Sequence, residues 1–535
     1  MTWLTWTLLI GYILLSVALY KIFEKAGEDP KKALIPGYNM WIVAKLVGRK
    51  PSYSLLLLIP FVNIFIFAAL MVDLARSFGR FGFLESVAAV LASHAYFGWL
   101  GFREDVTYHG PILEKERAYR AKLAAAHKAG DKREINKIER ENPFAKPVVR
   151  EWGEAAIFAI FAAAFIRLLL IEAYVIPTPS MEGSLLVGDF LFVSKAHYGV
   201  RLPETVFMLP LVHNRAPIVG GESYLKEPSL PYRRLPALEK LKRNVPIVFN
   251  VPSGDSVYIF PDRTWAASDY SSGILDGSPY ERSIKTGQVK LVTRPLDKKD
   301  HYIKRLIGMP GDSLQIIDRQ VYINGEPGKN PENMQFLYTV EFSETPRLEA
   351  FADDGIAADD VRQLGDKTYA IFLSEDQRAL LQRADPAAKI ENYNFAPRST
   401  APTLQLFPHD TKYFGKWTVD NFGPIWIPKK GATIDLTPAN IVFYRRAITA
   451  YEGNDLQVVD GKAVINGQPA DTYTFQMDYY WMMGDNRHNS EDSRVWGYVP
   501  EDHILGKPLV IMFSLKEGSL AKGVNWNRIF KSANK

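Results

Sequence analysis

The chain has no cysteine among its 535 residues, which removes disulfides, thiolate nucleophiles and cysteine-ligated zinc together. An oxidising extracytoplasmic setting is compatible with this and not required by it. Histidine is scarce, at nine residues, so a nucleophile must be oxygen or nitrogen with few imidazoles at hand. A strong charge bias is also missing. Lys+Arg number 64 against 59 Asp+Glu, a net charge of +5, and such a mixed surface does not imply nucleic acid. Finally, no cation precedes the first apolar run, Leu4 to Phe23, while Lys21, Lys25, Lys31 and Lys32 flank its far end. A cleavable signal carries its positive charge first, so the run is expected to be an uncleaved span with its basic flank in the cytoplasm.

What is present begins with apolar length. After the turn Ile35-Pro36-Gly37-Tyr38-Asn39 come two further runs, Tyr53 to Val72, containing Pro60 and Asn63, and Phe83 to Leu100, interrupted by Ser86, Ser93 and His94. Both are near the roughly 20 residues a spanning helix needs and read either as spans or as a kinked hairpin. Residues 102–151 carry both signs densely, and from Ile112 to Arg140 they favour helix without enough apolar face for a core. A fourth apolar segment, Gly153 to Val175, follows and empties into a polar turn containing Ser180. The expectation is four spans, with two as the alternative, and a cytoplasmic charged linker that places Ser180 outside. Arg167 and Glu172 are expected to snorkel to the interface.

Beyond this segment the pattern turns strand-like. Val187 to Val193, Val248 to Phe260 (broken at Pro252-Ser253-Gly254-Asp255), Leu291 to Thr293, Tyr302 to Ile317 and Ile504 to Ser514 are the strand candidates. Polar stretches at 196–246 and 261–290 interrupt them. Asn324-Gly325 and Asn466-Gly467, each flanked by β-branched residues, predict two hairpins. Residues 328–460, with a helix at Asp376 to Arg383 and a strand at Ile441 to Tyr444, read as an inserted α+β subdomain. The expected division is therefore a membrane region at 1–101 with about three spans, a linker at 102–151 and an anchor at 152–176. A β-rich region follows at 177–327 and 461–515, with the insert at 328–460. A basic tail, 516–535, carries Trp526 and Phe530, which either touch lipid or pack on the body.

Chemistry without cysteine narrows to a few side chains. Ser180 follows Pro177-Thr178-Pro179, which restricts the backbone just ahead of it. Lys304 sits in the apolar run Tyr302-Ile303-Lys304-Arg305-Leu306-Ile307, where alternation puts Tyr302 and Lys304 on one face and Arg305 on the other. A buried lysine has its pKa depressed and can take a serine proton; the competing reading is a snorkelling surface lysine. A Ser-His-Asp set of Ser180, His301 and Asp485 or Asp492 is a second arrangement. A metal site from His488, Asp485, Asp492 and His503 is a third, although the spacing fits no familiar ligand pattern.

Read together, four segments resemble bacterial signal peptidase I, the membrane-bound Ser/Lys-dyad protease that removes signal peptides. Ile176-Pro177-Thr178-Pro179-Ser180-Met181 resembles the nucleophile segment, and Gly188-Asp189-Phe190-Leu191-Phe192-Val193-Ser194-Lys195 the strand that follows it. Tyr302 to Asp312 resembles the general-base segment and Gly484-Asp485-Asn486-Arg487-His488-Asn489-Ser490-Glu491-Asp492-Ser493-Arg494 the last motif. The resemblance implies Ser180 as nucleophile, Lys304 as base, Thr178 in the oxyanion hole and Ser490 orienting Lys304. Met181, Tyr302, Arg305, Gly484, Asp485 and Asn486 would support the site, with Asp492 and Arg494 as an ion pair. It implies N-terminal transmembrane helices followed by a mostly β extracytoplasmic region, no cofactor or metal, and preproteins as substrates cut after small residues. The setting implied is the bacterial inner membrane, with lipid and the export machinery as partners. Glu182-Gly183, where the family has proline nearby, and His488, where aspartate is usual, depart from the pattern. A self-processing Ser/Lys protease and an inert membrane-anchored scaffold remain the competing functions.

Overall fold

The computed structural model describes residues 3–58, 62–145, 147–212, 214, 222–252, 256–260, 264–267, 275, 277–347, 351, 355–357, 360–395 and 406–534. Pro60, the turn residues Ser253, Gly254 and Asp255, and most of the polar stretch 261–276 lie outside the described residues, as do the side chains of several residues near Leu4. The chain divides into two units, Met1–Ala162 and Ala163–Lys535.

In the first unit, helix Trp3–Lys25 packs against helix Ser93–Phe102. Small residues set the distance: a side chain at Gly101 would overlap the Lys21 Cβ, and one at Gly98 would meet the Ala18 Cβ at 3.8 Å. Leu19, Ile22, Phe23, Leu70, Met71, Leu74 and Phe97 fill the core. Asn39, a fully buried polar side chain in this core, is satisfied. Asn39 Nδ2 donates to Ser16 Oγ at 3.0 Å and to the Ala33 carbonyl at 3.2 Å, and Tyr12 donates to Asn39 Oδ1 at 2.8 Å.

The expected second span, Tyr53 to Val72, is not one helix. Pro51–Leu58 is a 3-10 segment and Val62–Ser77 a separate 16-residue helix. At 1.5 Å per residue that helix is about 24 Å long, short of a roughly 30 Å hydrocarbon layer. The third run is two helices, Phe83–Leu91 and Ser93–Phe102, bent by 116°. Among the described residues, only Val148–Leu169 is by itself long and apolar enough to cross a membrane. The charged linker forms two helices, Ile112–Ala129 and Lys132–Arg140, because Gly130 takes φ 68° and Asp131 caps the second through the Arg133 and Glu134 amides.

The anchor ends earlier than the expected 176. Helix Val148–Leu169 stops, and Ile171–Val175 is a strand paired with Asp189–Ser194. Glu172 is the reason, and it does not snorkel. It is buried, with Lys195 Nζ at 2.8 Å, Arg167 Nε at 2.8 Å and the Tyr174 hydroxyl at 2.6 Å. Burial pushes its carboxyl up, but Lys195 and the hydrogen bonds outweigh that and bring it down to about 2. A carboxylate so paired belongs in protein, not in hydrocarbon.

The second unit is built on a seven-stranded antiparallel sheet in the order Ile171–Val175, Asp189–Ser194, Ile504–Ser514, Pro246–Asn250, His301–Gly308, Tyr479–Met483, Val499–Pro500. Strand His301–Gly308 is internal, with Ile247 opposite Lys304 and Met482 opposite Leu306. Its buried run includes Lys304 and Arg305 alongside Leu306 and Ile307. Both Asn-Gly hairpins form, with φ 54° and 86° at Asn324-Gly325 and 51° and 79° at Asn466-Gly467.

Residues 328–460 divide by packing. Strands Gln335–Glu341, Val361–Gln363, Thr368–Ser374 and Lys389–Asn392 with helix Glu375–Ala384 enclose their own core around Val340, Ile371 and Leu373. Phe407, Phe422, Ile425, Ile441 and Tyr444 instead join Trp481 and Tyr479 in the main core. The expected strand Ile441 to Tyr444 is helical, within Pro438–Arg446. Thr437 caps the Asn440 amide and Pro438 occupies the first turn, so start signals override the β-branched and aromatic run. At helical spacing Ile441 and Tyr444 share the buried face. The tail packs on the body, with Arg528 on Asp189 at 2.6 Å and the Phe530 amide on the Ile511 carbonyl at 2.7 Å. Trp526 and Phe530 stay exposed.

Ile441→Ala is expected to cost about 2–5 kcal/mol in denaturant unfolding of the full chain, the range for truncating a buried aliphatic. Loss under 0.5 kcal/mol, typical of an exposed site, would place Ile441 outside the core.

Candidate active site

Ser180 is placed by its neighbours on both sides. Thr178 is extended, at φ −133° and ψ 153°, and Pro179 opens a single 3-10 turn closed by the Glu182 amide on the Pro179 carbonyl at 2.9 Å. Met181 is fully buried among Ile176, Leu185, Leu191 and Val248, which pins the turn to the sheet. From the other side, the Asn486 amide donates to the Ser180 carbonyl at 3.2 Å. Gly484 makes that approach possible. A Cβ there would overlap the Ser180 carbonyl oxygen and Ser490 Oγ.

Lys304 reaches this turn from strand His301–Gly308. Its Nζ donates to Ser180 Oγ at 2.6 Å, and Tyr302 places its ring 5.3 Å from the same nitrogen. The side chain is 4% exposed. Burial lowers the Lys304 pKa to about 8, against the opposing pull of Asp492, Glu491 and Asp485. Thr178 Oγ1 lies 3.5 Å from Ser180 Oγ. A cavity of about 360 Å³ opens beside the pair, walled by Val175, Pro177, Leu191, Val248 and Ile303.

The last motif is a braced turn. Arg305 grips Asp485 through Nε at 2.8 Å and Nη2 at 2.6 Å, and also donates to the Asn244 carbonyl at 2.6 Å. Asp492 holds Arg494 through Oδ1 at 2.9 Å and Oδ2 at 2.8 Å, and accepts the Gly484 amide at 3.0 Å. Burial raises the Asp492 carboxyl, but Arg494 and these donors leave it below its ordinary value. Arg487, fully enclosed, donates to the Gly484 carbonyl at 3.1 Å. Its pKa is lowered by burial to about 10.

The Ser490 hydroxyl is buried in this turn, and the expected bond to Lys304 is not formed. Its hydroxyl is instead close enough to Asp492 to help hold that carboxylate ionised, while Lys304 points at Ser180. The other arrangements do not assemble. His301 lines the cavity with its ring against Tyr174 at 5.3 Å, while Asp485 and Asp492 are committed to arginines. His488 pairs with Asp420 at 2.7 Å and His503 with Asp502 at 2.6 Å, so the four candidate metal ligands do not converge.

The departures from the motif share one cause. Gly183 takes φ +90°, and a Cβ on it would overlap the Asn333 carbonyl oxygen. Glu182 faces Asp360. His488 accepts the Leu337 amide at 3.1 Å and packs against Phe336 and Phe395 at 5.1 and 4.7 Å. Gln335 brackets the motif as well, its amide on the Asp485 carbonyl at 3.0 Å and its carbonyl receiving the Arg487 amide at 2.9 Å. The three departures, Glu182, Gly183 and His488, lie against residues 333–395, the segment that holds the small sheet. Gln335 and Asn333 carry no sequence signal of this role; Glu182, Gly183 and His488 carried one only as departures.

A model of the family described as "Signal peptidase, peptidase S26" matches residues 149–378 and 451–513. Another, "Family of unknown function (DUF5684)", matches residues 31–111. The chain is 24% identical over 367 residues to Signal peptidase I of Haemophilus influenzae, covering 68% of this chain and 69% of that one. It is 27% identical over 372 residues to Signal peptidase I of Rickettsia massiliae, covering 69% and 82%. For Signal peptidase I of Helicobacter pylori the identity is 21% over 392 residues, covering 71% and 90%.

Two outcomes follow for this site. Gly484→Ala is expected to push the two halves apart and abolish proteolysis while leaving the chain folded by circular dichroism; full activity would contradict the close approach. Glu182 ionises at about 8, chiefly through burial and then through Asp360, against an ordinary 4.5. Its folded value lies above its unfolded one, so it destabilises the fold progressively as pH rises from about 4.5 to about 8. Glu182→Gln is therefore expected to flatten the fall in melting temperature between pH 5 and 9, and an unchanged slope would contradict the burial.

Proposed function

Because the chain belongs to the signal peptidase, peptidase S26 family, we propose that it is a membrane-bound endopeptidase cutting signal peptides from exported preproteins, with Ser180 as nucleophile and Lys304 as general base. The observation that carries this is the 2.6 Å contact of Lys304 Nζ with Ser180 Oγ. A lysine lowered to about 8 by burial is neutral in an appreciable fraction near pH 7, which a base for a hydroxyl must be.

In the proposed cycle the peptide lies extended along the edge beside Tyr174 to Pro177, with small residues at P1 and P3 directed at the apolar wall of Leu191, Val248 and Ile303. Lys304 takes the Ser180 proton as Oγ attacks the scissile carbonyl. The oxyanion forms near the Thr178 hydroxyl and the Ser180 amide, which stabilise it. Lys304 then protonates the leaving amine and, neutral again, activates the water that releases the acyl group. Ser490 supports the site through Asp492, with Met181, Tyr302, Arg305, Asp485, Asn486 and Arg494 holding its frame. No metal or cofactor enters these steps.

Val148–Leu169 serves as the anchor of the proposed arrangement, in a bacterial inner membrane with the sheet from Ile171 onward on the outer side. The regions 1–101 and 102–151 precede it as membrane-associated and charged linker segments. The catalytic body is 177–327 with 461–515, the insert lies within 328–460, and lipid and the export machinery are the expected partners.

Cleavage of a purified preprotein in trans by the full chain tests this. Ser180→Ala is expected to be inactive and Lys304→Ala to lose about 10²- to 10⁴-fold. Retained activity in either would contradict the dyad, and cleavage only of the chain itself would favour self-processing. The kcat/KM profile is expected to rise with pH through about 8 as Lys304 loses its proton. Glu491 raises that pKa, so Glu491→Gln is expected to move the rise to lower pH.

A further inference from the structure

The first unit holds a cavity of about 410 Å³ that the proteolytic chemistry does not use, lined by Arg49, Lys50, Ser52, Tyr53, Leu56, Leu113 and Arg117. Three cations converge on it from two elements distant in sequence. Arg49 is fixed: its Nη2 bonds Asp73 at 2.6 Å, and its guanidinium lies 4.4 Å from the Tyr53 ring centre. Arg117 arrives from helix Ile112–Ala129 and is held by its Nη2 on the Gly48 carbonyl at 3.0 Å. Asp73 is taken up by Arg49 and Glu116 by Arg120. Neither Lys50 nor Arg117 forms an ion pair with a described carboxylate.

The chain beside this cavity, which lends Leu56 to its wall, changes character over a short stretch. Lys50 begins it, Ser52 and Tyr53 follow, and the 3-10 segment Pro51–Leu58 ends in Leu55-Leu56-Leu57-Leu58. Leu55 is 54% and Leu58 79% exposed. At about 2.0 Å per residue, Lys50 and the leucines are roughly 10–16 Å apart along the segment. A ligand complementary to both ends is anionic at one end and apolar at the other.

We propose that this cavity binds the phosphate group of an anionic phospholipid, with Lys50 and Arg117 on the phosphate, Arg49 shaping the floor and Leu55 to Leu58 along the first part of the acyl chains. The leucine run selects lipid over free phosphate, which offers nothing to the apolar end. Arg49, Lys50, Ser52, Tyr53 and Leu56 lie in the segment matched by a family of unknown function, Leu113 and Arg117 just beyond it, and the site is independent of the dyad.

Native mass spectrometry of the full chain in detergent tests this, with dioctanoyl phosphatidylglycerol, dioctanoyl phosphatidylcholine and inorganic phosphate as probes. The phosphatidylglycerol is expected to bind about tenfold or more tightly than the zwitterionic lipid, the scale for two cations near a phosphate. Lys50→Ala/Arg117→Ala is expected to remove that preference while preprotein cleavage in detergent is retained, and Lys50→Arg/Arg117→Lys to restore it. Equal affinity for the two lipids, or an unchanged preference in the alanine variant, would overturn the site. Displacement by an equimolar amount of inorganic phosphate would overturn the lipid and assign the cations to a free anion. If the double variant does not fold, Lys50→Gln alone carries the same comparison.

Discussion

A buried lysine amine that meets the Ser180 hydroxyl is the condition around which the rest of this site is arranged. Lys304 is removed from water on an internal strand, and burial, not a neighbouring positive charge, is the main cause of its lowered pKa. A carboxylate in direct contact would undo this. The nearby acids are therefore engaged elsewhere: Asp485 by Arg305 and Asp492 by Arg494. Those pairs neutralise charge that would otherwise hold Lys304 protonated, and they also build the turn that carries Gly484 to the Ser180 carbonyl. One arrangement thus serves both electrostatics and position.

The small sheet at 335–392 adds a second support that the sequence motif alone does not require. Gln335 bonds both sides of Asn486, His488 takes the Leu337 amide, and Gly183 fits beneath the Asn333 carbonyl. Each position where the chain departs from the family pattern faces the segment 333–395 that holds this sheet. The departures are therefore consistent with a reshaped surround and leave the Ser180–Lys304 contact itself intact.

Some local structure could be read from the sequence because its signals are local, whereas the pairing of Ser180 with Lys304 came from the resemblance. The restricted backbone before Ser180, the alternation around Lys304 and the two Asn-Gly turns each need only a few neighbouring residues. What failed to show depends on distant partners. Ile441 to Tyr444 looks like a strand until the cap at Thr437 is weighed against its β-branched run. The end of the apolar helix was set too late because hydropathy counts Leu170 to Val175 as membrane, whereas Lys195, twenty-odd residues on, draws Glu172 into a strand pair. Ser490 was assigned to Lys304 by resemblance, but packing puts its hydroxyl beside Asp492. In the first unit, apolar length suggested continuous spans; a 116° bend and a 3-10 segment break them.

The central claim is that burial against Ser180 lowers the Lys304 pKa enough for an appreciable fraction of neutral amine to be present near pH 7. Nitrogen-15 NMR of lysine-labelled full chain, with the Lys304 signal assigned by its loss in Lys304→Ala, reads this directly. A titration midpoint near 8 is predicted. A midpoint at the ordinary 10.5 would show a solvated, protonated lysine and contradict the dyad as the source of the chemistry.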